Sequence, residues 1–238
     1  DVAVREGNLQ GWYESGSGEW FVARGEEIGI FGQYASLLGE RFGRVKLSEQ
    51  PRVWCSWYSL YNNINEQNLA KALADLDDLP FDVFQIDDGW QVSTGDWEPN
   101  EKFPSGMEAI TAKIKATGRK AGLWLAPLAV SKNSSIYKQH KDWLLRDLNG
   151  KLYVAGFEWS AEIYSLDTTH PEVVEWLGNL IHKVRNWGFD YLKLDFLSAG
   201  ALPGKRFADI PRETAFRQGL QVMREAAGDA YLLLCGTP

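Results

Sequence analysis

The 238-residue sequence predicts an α/β protein with a parallel sheet closed as a (β/α)8-type barrel. About the first five βα units are expected here, preceded by part of a β-rich domain. Three observations predict this. From Arg52 onward, short apolar runs alternate with segments of helical period. Residues 1–50 are Gly-dense and read as short strands joined by turns. Polar or aromatic residues recur at the C-terminal ends of separate strands: Trp57, Asp87 with Asp88, Trp124, Asp195 and Cys235. Barrels build their sites from several strand ends, whereas an open sheet concentrates its site at one switch point.

The elements follow in order. Glu19–Ala23 and Ile28–Phe31 are expected strands of the β-rich domain, residues 1–50. The barrel part, residues 51–238, opens on a strand over Val53–Trp57. Asn65 can cap a helix running to about Asp78, with Leu69, Ala72, Leu73 and Leu76 at helical spacing. Asp82–Asp87 is the next strand, and Gly106–Thr117 a helix after a long loop. Lys120–Leu125 is a strand, and a helix is expected over Ile136–Arg146. Lys151–Val154 and Ile163–Leu166 read as extended. Pro171 suits the first position of a helix to Trp187. Tyr191–Asp195 is a strand, Arg212–Ala227 a helix and Tyr231–Cys235 the last strand.

Composition narrows the function classes. The net charge of −7 comes from 25 basic and 32 acidic residues without blocks, which argues against nucleic acid. No apolar run is long enough to span a bilayer, and no signal peptide opens the chain, so a cytoplasmic location is expected. Two cysteines, Cys55 and Cys235, read as reduced buried thiols. Three isolated histidines give no metal-ligand spacing, and no dinucleotide or phosphate loop is present. No cofactor or metal is expected. Eleven Trp suit a sugar site, where indole faces cover the C–H patches of a pyranose, and suit a Trp-rich core as well.

The chemistry centres on Asp190-Tyr-Leu-Lys-Leu-Asp195-Phe196. Period two puts Leu192, Leu194 and Phe196 on one face and Tyr191, Lys193 and Asp195 on the other. Lys193 and Asp195 pointing together into an interior fit a structural ion pair or a carboxylate nucleophile held ionised by its lysine. In Gln85-Ile-Asp-Asp-Gly-Trp90, Val83, Gln85 and Asp87 share a face, so Asp87 points inward and Asp88 begins the loop. Paired carboxylates can bind a metal, do acid–base work or accept hydrogen bonds from sugar hydroxyls, although no further oxygen ligands stand at loop spacing for a metal; an Asp-Asp-Gly turn can also be structural. Trp57 and Trp124 read as stacking platforms or core filling. Trp97, in Gly95-Asp-Trp97, reads as a lid, a supporting contact or a plain turn.

In combination these motifs resemble a known family. Trp57-Tyr-Ser-Leu-Tyr61, Gln85-Ile-Asp-Asp-Gly-Trp90, Gly95-Asp-Trp97, Gly122-Leu-Trp124, Leu166-Asp167, Lys193-Leu-Asp195 and Cys235-Gly236 stand in the order seen in glycoside hydrolase family 36. This is the α-galactosidase (melibiase) family, related to family 27, and the resemblance runs from about residue 53 to the end. It implies that residues 1–50 end the β-sandwich domain preceding the barrel. It implies Asp195 as catalytic nucleophile and Lys193 as a sugar hydrogen-bond donor. Asp87 and Asp88 would hold the galactose hydroxyls. Trp57 and Trp124 would line the pocket, with Cys235 and Gly236 near the sugar's O2 and Trp97 as a further contact.

The implied reaction is retaining hydrolysis of terminal α-galactose from galacto-oligosaccharides such as raffinose and melibiose. It needs a second carboxyl roughly 5–5.5 Å from the nucleophile. In the family this is an Asp after the sixth strand, and the chain is expected to stop before it. Two other readings stand beside this one. A sugar-binding or inactive half-barrel would cover its open strand edges by forming a homo-oligomer. A relative acting on α-N-acetylgalactosamine, or a galactosyl transferase of the raffinose-synthase kind, would share the same motifs.

Overall fold

The computed structural model describes residues 2–5, 8–11, 21–43, 50–158 and 161–237. Two compact units divide the chain, Asp1–Gln50 and Pro51–Pro238. In the first, β1 (Val2–Arg5) and β2 (Asn8–Gly11) pair antiparallel, and α1 spans Glu27–Phe42. The strand expected over Ile28–Phe31 is therefore the first turn of a helix. Over sixteen residues the helical spacing of Ile30, Tyr34, Leu37 and Arg41, with Phe31 and Leu38 beside it, outweighs a two-residue alternation read across four. Glu27 in the first turn and Arg41 in the last also oppose the helix dipole favourably. Of the strand expected over 19–23, residues 19 and 20 lie outside the described residues, and 21–23 are irregular.

The second unit is organised by five parallel strands. These are β3 (Val53–Cys55), β4 (Val83–Ile86), β7 (Lys120–Leu125), β11 (Tyr191–Leu194) and β12 (Tyr231–Leu234). They lie side by side in chain order, β3-β4-β7-β11-β12. Sequential parallel neighbours joined through helices fit a partial (β/α)8 barrel. The connecting helices are α3 (Glu66–Asp75), α4 (Met107–Ala116), α6 (Pro171–Asn186) and α7 (Arg212–Ala227). A short α2 (Trp57–Leu60) precedes α3.

Each connecting helix of the second unit buries one stripe. On α6 the buried positions Val173, Leu177, Leu180, Ile181 and Val184 recur at three- and four-residue steps. Pro171 opens α6 as expected, with His170 Nδ1 accepting from the Glu172 N–H. Asn65 caps α3 in a reciprocal pair: each of Asn65 and Asn68 accepts, through Oδ1, the other's backbone N–H at 2.9 Å.

Two excursions stand above the strand ends. After β4, β5 (Gln91–Ser93) and β6 (Asp96–Pro99) form a hairpin where the sequence suggested only a loop. After β7, β8 (Ala129–Ser131), β9 (Val154–Glu158) and β10 (Ala161–Ser165) form an antiparallel sheet in the order β8-β10-β9. The helix expected over Ile136–Arg146 is shorter. α5 covers Ser135–Gln139, a 3-10 turn follows over Lys141–Trp143, and Leu144 and Arg146 make β-bridges. The break falls at His140, whose ring lies against Trp143 with centroids 4.1 Å apart. Extending the chain beyond it buries both Leu144 and Leu145. Among the described residues, no helix is long and apolar enough to cross a membrane.

Candidate active site

The C-terminal ends of the parallel strands surround a cavity of about 330 Å³. Its lining is Trp57, Asp87, Asp88, Trp124, Phe157, Lys193, Asp195 and Phe196. Six of these are residues singled out from the sequence. The barrel register explains the convergence. Lys193 on β11 pairs with Trp124 on β7, and Gln85 on β4 with Gly122. A Cβ on Gly122 would stand 3.1 Å from both Gln85 and Tyr191, so glycine there lets the neighbouring inward side chains close up.

Asp87 is the fixed carboxylate. It is buried, and its Oδ2 accepts from Lys193 Nζ at 2.9 Å, Gln85 Nε2 at 2.6 Å and the Cys55 thiol at 3.2 Å. Its Oδ1 accepts from the Asp88 N–H, and its own N–H donates to Ser56 Oγ. Asp88 accepts from Gln91 Nε2 at 2.6 Å. Burial first, then the Asp87 charge, push the Cys55 thiol up to about 12. The thiol is thus a neutral donor to Asp87. Burial is also the largest influence on Lys193 and lowers its pKa, but the Asp87 charge and hydrogen bond, aided by the Asp195 charge, outweigh it. The ammonium is held above its ordinary range.

Asp195 is placed differently. Its side chain is 25% exposed, against 3% for Asp87. Its Oδ2 accepts from Trp124 Nε1 at 3.1 Å, and its Oδ1 from the Phe196 N–H at 2.8 Å. Lys193 Nζ stands 3.9 Å from Oδ2. One ammonium therefore bridges a buried carboxylate and an accessible one. Two directional donors orient the accessible carboxylate without covering it. This arrangement suits a carboxylate that must meet an electrophilic carbon.

Three placements correct the sequence expectations. Trp57 does not end the first strand; β3 stops at Cys55 and Trp57 opens α2, from which it lines the cavity. Trp97 does not line the cavity. It is buried on β6 between Trp90 and Trp124, with ring centroids 6.0 and 5.9 Å away, and so supports Trp124 from behind. Phe196 was expected on the face opposite Asp195, yet it lines the same cavity. Its backbone is left-handed (φ 51°, ψ 32°), which ends the period-two alternation at Leu194.

Cys235 and Gly236 are also outside the cavity lining, although both are close to it. The Cys235 N–H donates to the Leu194 carbonyl, and a Cβ on Gly236 would lie 3.6 Å from Asp195 Oδ1. Phe157, from β9, has no counterpart in the sequence reading. It sits on an excursion whose approach to the strand ends is set by long-range pairing.

Asp142, His170 and Glu172 bring possible ligand atoms within 4.8 Å of one another. Their hydrogen bonds point to another role. His170 Nδ1 caps α6, which leaves the hydrogen on Nε2 facing Asp142 at 3.9 Å, and Glu172 accepts from Trp143 Nε1 at 2.8 Å.

Comparison with known proteins agrees with this geometry. The melibiase family model matches residues 26–225. Alpha-galactosidase AgaA of Geobacillus stearothermophilus is 28% identical over 196 residues, covering 76% of this chain and 26% of that protein. The structure of TtGalA, an alpha-galactosidase from Thermus thermophilus in complex with stachyose, superposes with a TM-score of 0.88 at 46% identity. That match covers 97% of this chain and 49% of the other. The alpha-galactosidase from Lactobacillus brevis superposes with a TM-score of 0.67 at 26% identity, covering 85% of this chain and 29% of that one. The chain thus spans half or less of the length of these relatives. With the family model matching most of its residues, the chain belongs to the melibiase family.

Proposed function

We propose that the cavity binds a terminal α-galactose and that Asp195 is the nucleophile of a retaining hydrolysis. The observation that carries this is the contrast between two carboxylates sharing one lysine. Asp87 is buried and saturated with donors, whereas Asp195 is oriented by Trp124 and Phe196 and open to the cavity. Relatives support the substrate class: TtGalA has been solved with stachyose and with p-nitrophenyl α-D-galactopyranoside.

In the proposed reaction Asp195 attacks the anomeric carbon. The bond from that carbon to the leaving oxygen breaks, and the sugar becomes an ester of Asp195. Lys193, Asp87 and Asp88 hold the ring hydroxyls, and the Trp124 N–H fixes the direction of attack. The leaving oxygen takes a proton from a second carboxyl, which then deprotonates the water that cleaves the ester. Asp87 and Asp88 are committed as acceptors to Lys193 and Gln91, so neither suits that role. We assign the acid/base to polypeptide beyond these 238 residues, in keeping with the greater length of the relatives.

Calorimetry with galactose and turnover of p-nitrophenyl α-galactoside test the reading together. Galactose binding is expected, and Asp87→Asn is expected to abolish it. Any turnover is expected to vanish in Asp195→Asn. A folded protein that ignores galactose, or turnover that survives Asp195→Asn, would refute it.

A further inference from the structure

The polar groups of the cavity account for one sugar ring, but its lining includes a residue they do not explain. Phe157 carries no hydrogen-bonding side-chain atom and is 70% exposed, yet it faces the same cavity as Asp195 and Trp124. A phenyl ring left in water forgoes the stabilisation that burial gives it.

Its position is built rather than incidental. Phe157 pairs with Glu162 across the β9–β10 hairpin. β10 in turn pairs with β8 through Ile163↔Ser131, Tyr164↔Val130 and Ser165↔Ala129. β8 follows β7 within a few residues, and β7 carries Trp124. Strand pairing from β9 through β10 to β8, and then the short run of chain between β7 and β8, therefore tie the phenyl ring to the strand whose Trp124 orients Asp195. The hairpin is reinforced by Lys132 Nζ, which pairs with Glu162 at 2.9 Å, and by the Tyr164 hydroxyl, which donates to the same carboxylate at 2.8 Å.

We propose that Phe157 is a specificity-determining residue that covers the group attached to galactose, packing on the C–H face of a second sugar ring. The inference rests on the galactose reading of the cavity above. The chemistry matches. A ring that follows galactose outward has left the carboxylates and meets an apolar, exposed aromatic surface. Such a surface gains free energy by covering C–H groups and makes no demand on hydroxyl orientation. Phe157 thus selects for a further ring without fixing which sugar supplies it. Phe196 also faces the cavity, but it adjoins Asp195 and holds a left-handed backbone, so its replacement would disturb the nucleophile.

The test compares ligands with and without a second ring. Binding of galactose and of raffinose is measured by calorimetry in the Asp195→Asn background, with Phe157, Phe157→Ala and Phe157→Tyr. Phe157→Ala is expected to weaken raffinose about tenfold while leaving galactose unchanged, and Phe157→Tyr to restore raffinose. Equal raffinose affinity in Phe157→Ala would overturn the inference. So would parallel losses for both ligands, which would mean that Phe157 shapes the galactose site itself. If none of the three proteins binds galactose, the galactose reading fails and the inference falls with it, an outcome distinct from the other two.

Discussion

Replacing Lys193 by Met tests the two-carboxylate arrangement most severely, because one ammonium serves both. At 2.9 Å from Asp87 Oδ2 the gross attraction is about 6 kcal/mol at an effective dielectric of 20. At 3.9 Å from Asp195 Oδ2 it is about 4 kcal/mol before screening, and solvent at Asp195, 25% exposed, reduces this further. Desolvating the lysine offsets much of the sum. What decides the mutant is the charge left behind. Asp87, 3% exposed, would keep donors from Gln85, Cys55 and the Asp88 N–H but no cation. Breaking a buried pair costs about 3–5 kcal/mol, and three surviving donors argue for about 3. For a chain of this size that lowers Tm by about 6–12 °C.

Calorimetric melting of Lys193→Met, Asp87→Asn and the double variant would measure it. The double variant should be more stable than the sum of the single losses predicts, since neither charge is then orphaned. Strict additivity, with a Tm drop under about 2 °C in Lys193→Met, would refute the reasoning. The pH dependence has a definite sign. Because the folded pKa of Lys193 is raised, its contribution is complete below about pH 10.4 and is lost as pH rises through the higher folded value. Lys193→Met should lack that alkaline loss.

Further expectations follow from the same geometry. Gly89→Ala should destabilise by about 2 kcal/mol and disturb Asp88. Its φ is +112°, and a Cβ would stand 2.6 Å from the Asn62 carbonyl; an unchanged melting curve would contradict this. With its thiol pushed up to about 12, Cys55 should resist iodoacetamide at pH 8 in the folded protein and react once unfolded, as followed by peptide mass. Three hydrogen bonds from Arg52, two through its guanidinium and one through its backbone N–H, are the main reasons Asp82 is lowered to about 2. Carboxyl NMR should find its midpoint there. Its contribution to stability should be complete above about pH 3.8 and be lost as pH falls from there through about 2; an ordinary carboxylate midpoint would contradict the pairing.

The sequence made the parallel strands and their helices legible because each is governed by local periodicity. Lys120–Leu125 and Arg212–Ala227 match their expected limits, and Pro171 and Asn65 mark helix starts by capping chemistry. Inward side chains could be read as far as the strands run straight, hence Gln85 with Asp87 and Lys193 with Asp195. Beyond the strand ends that rule lapses. Phe196 turns into the cavity through a left-handed backbone, which no alternation encodes. Trp97 is placed by packing between Trp90 and Trp124, and Phe157 by the pairing of β10 with the distant β8, neither of which local periodicity encodes. Trp97 accordingly became a buttress and Phe157 a wall. The helix over Glu27–Phe42 was obscured by glycines at 29 and 32, which favour turns in a short window although the longer pattern is helical.

The most direct test of Asp195 as nucleophile is covalent trapping with a ring-fluorinated α-galactosyl fluoride. Fluoride leaves without needing a proton, so the experiment does not depend on the second carboxyl. Peptide mass analysis after trapping is expected to place one fluorogalactosyl group on Asp195 and none in Asp195→Asn. Labelling of Asp87, of Asp88 or of a residue outside the cavity would contradict that assignment. So would an unlabelled protein that binds galactose normally.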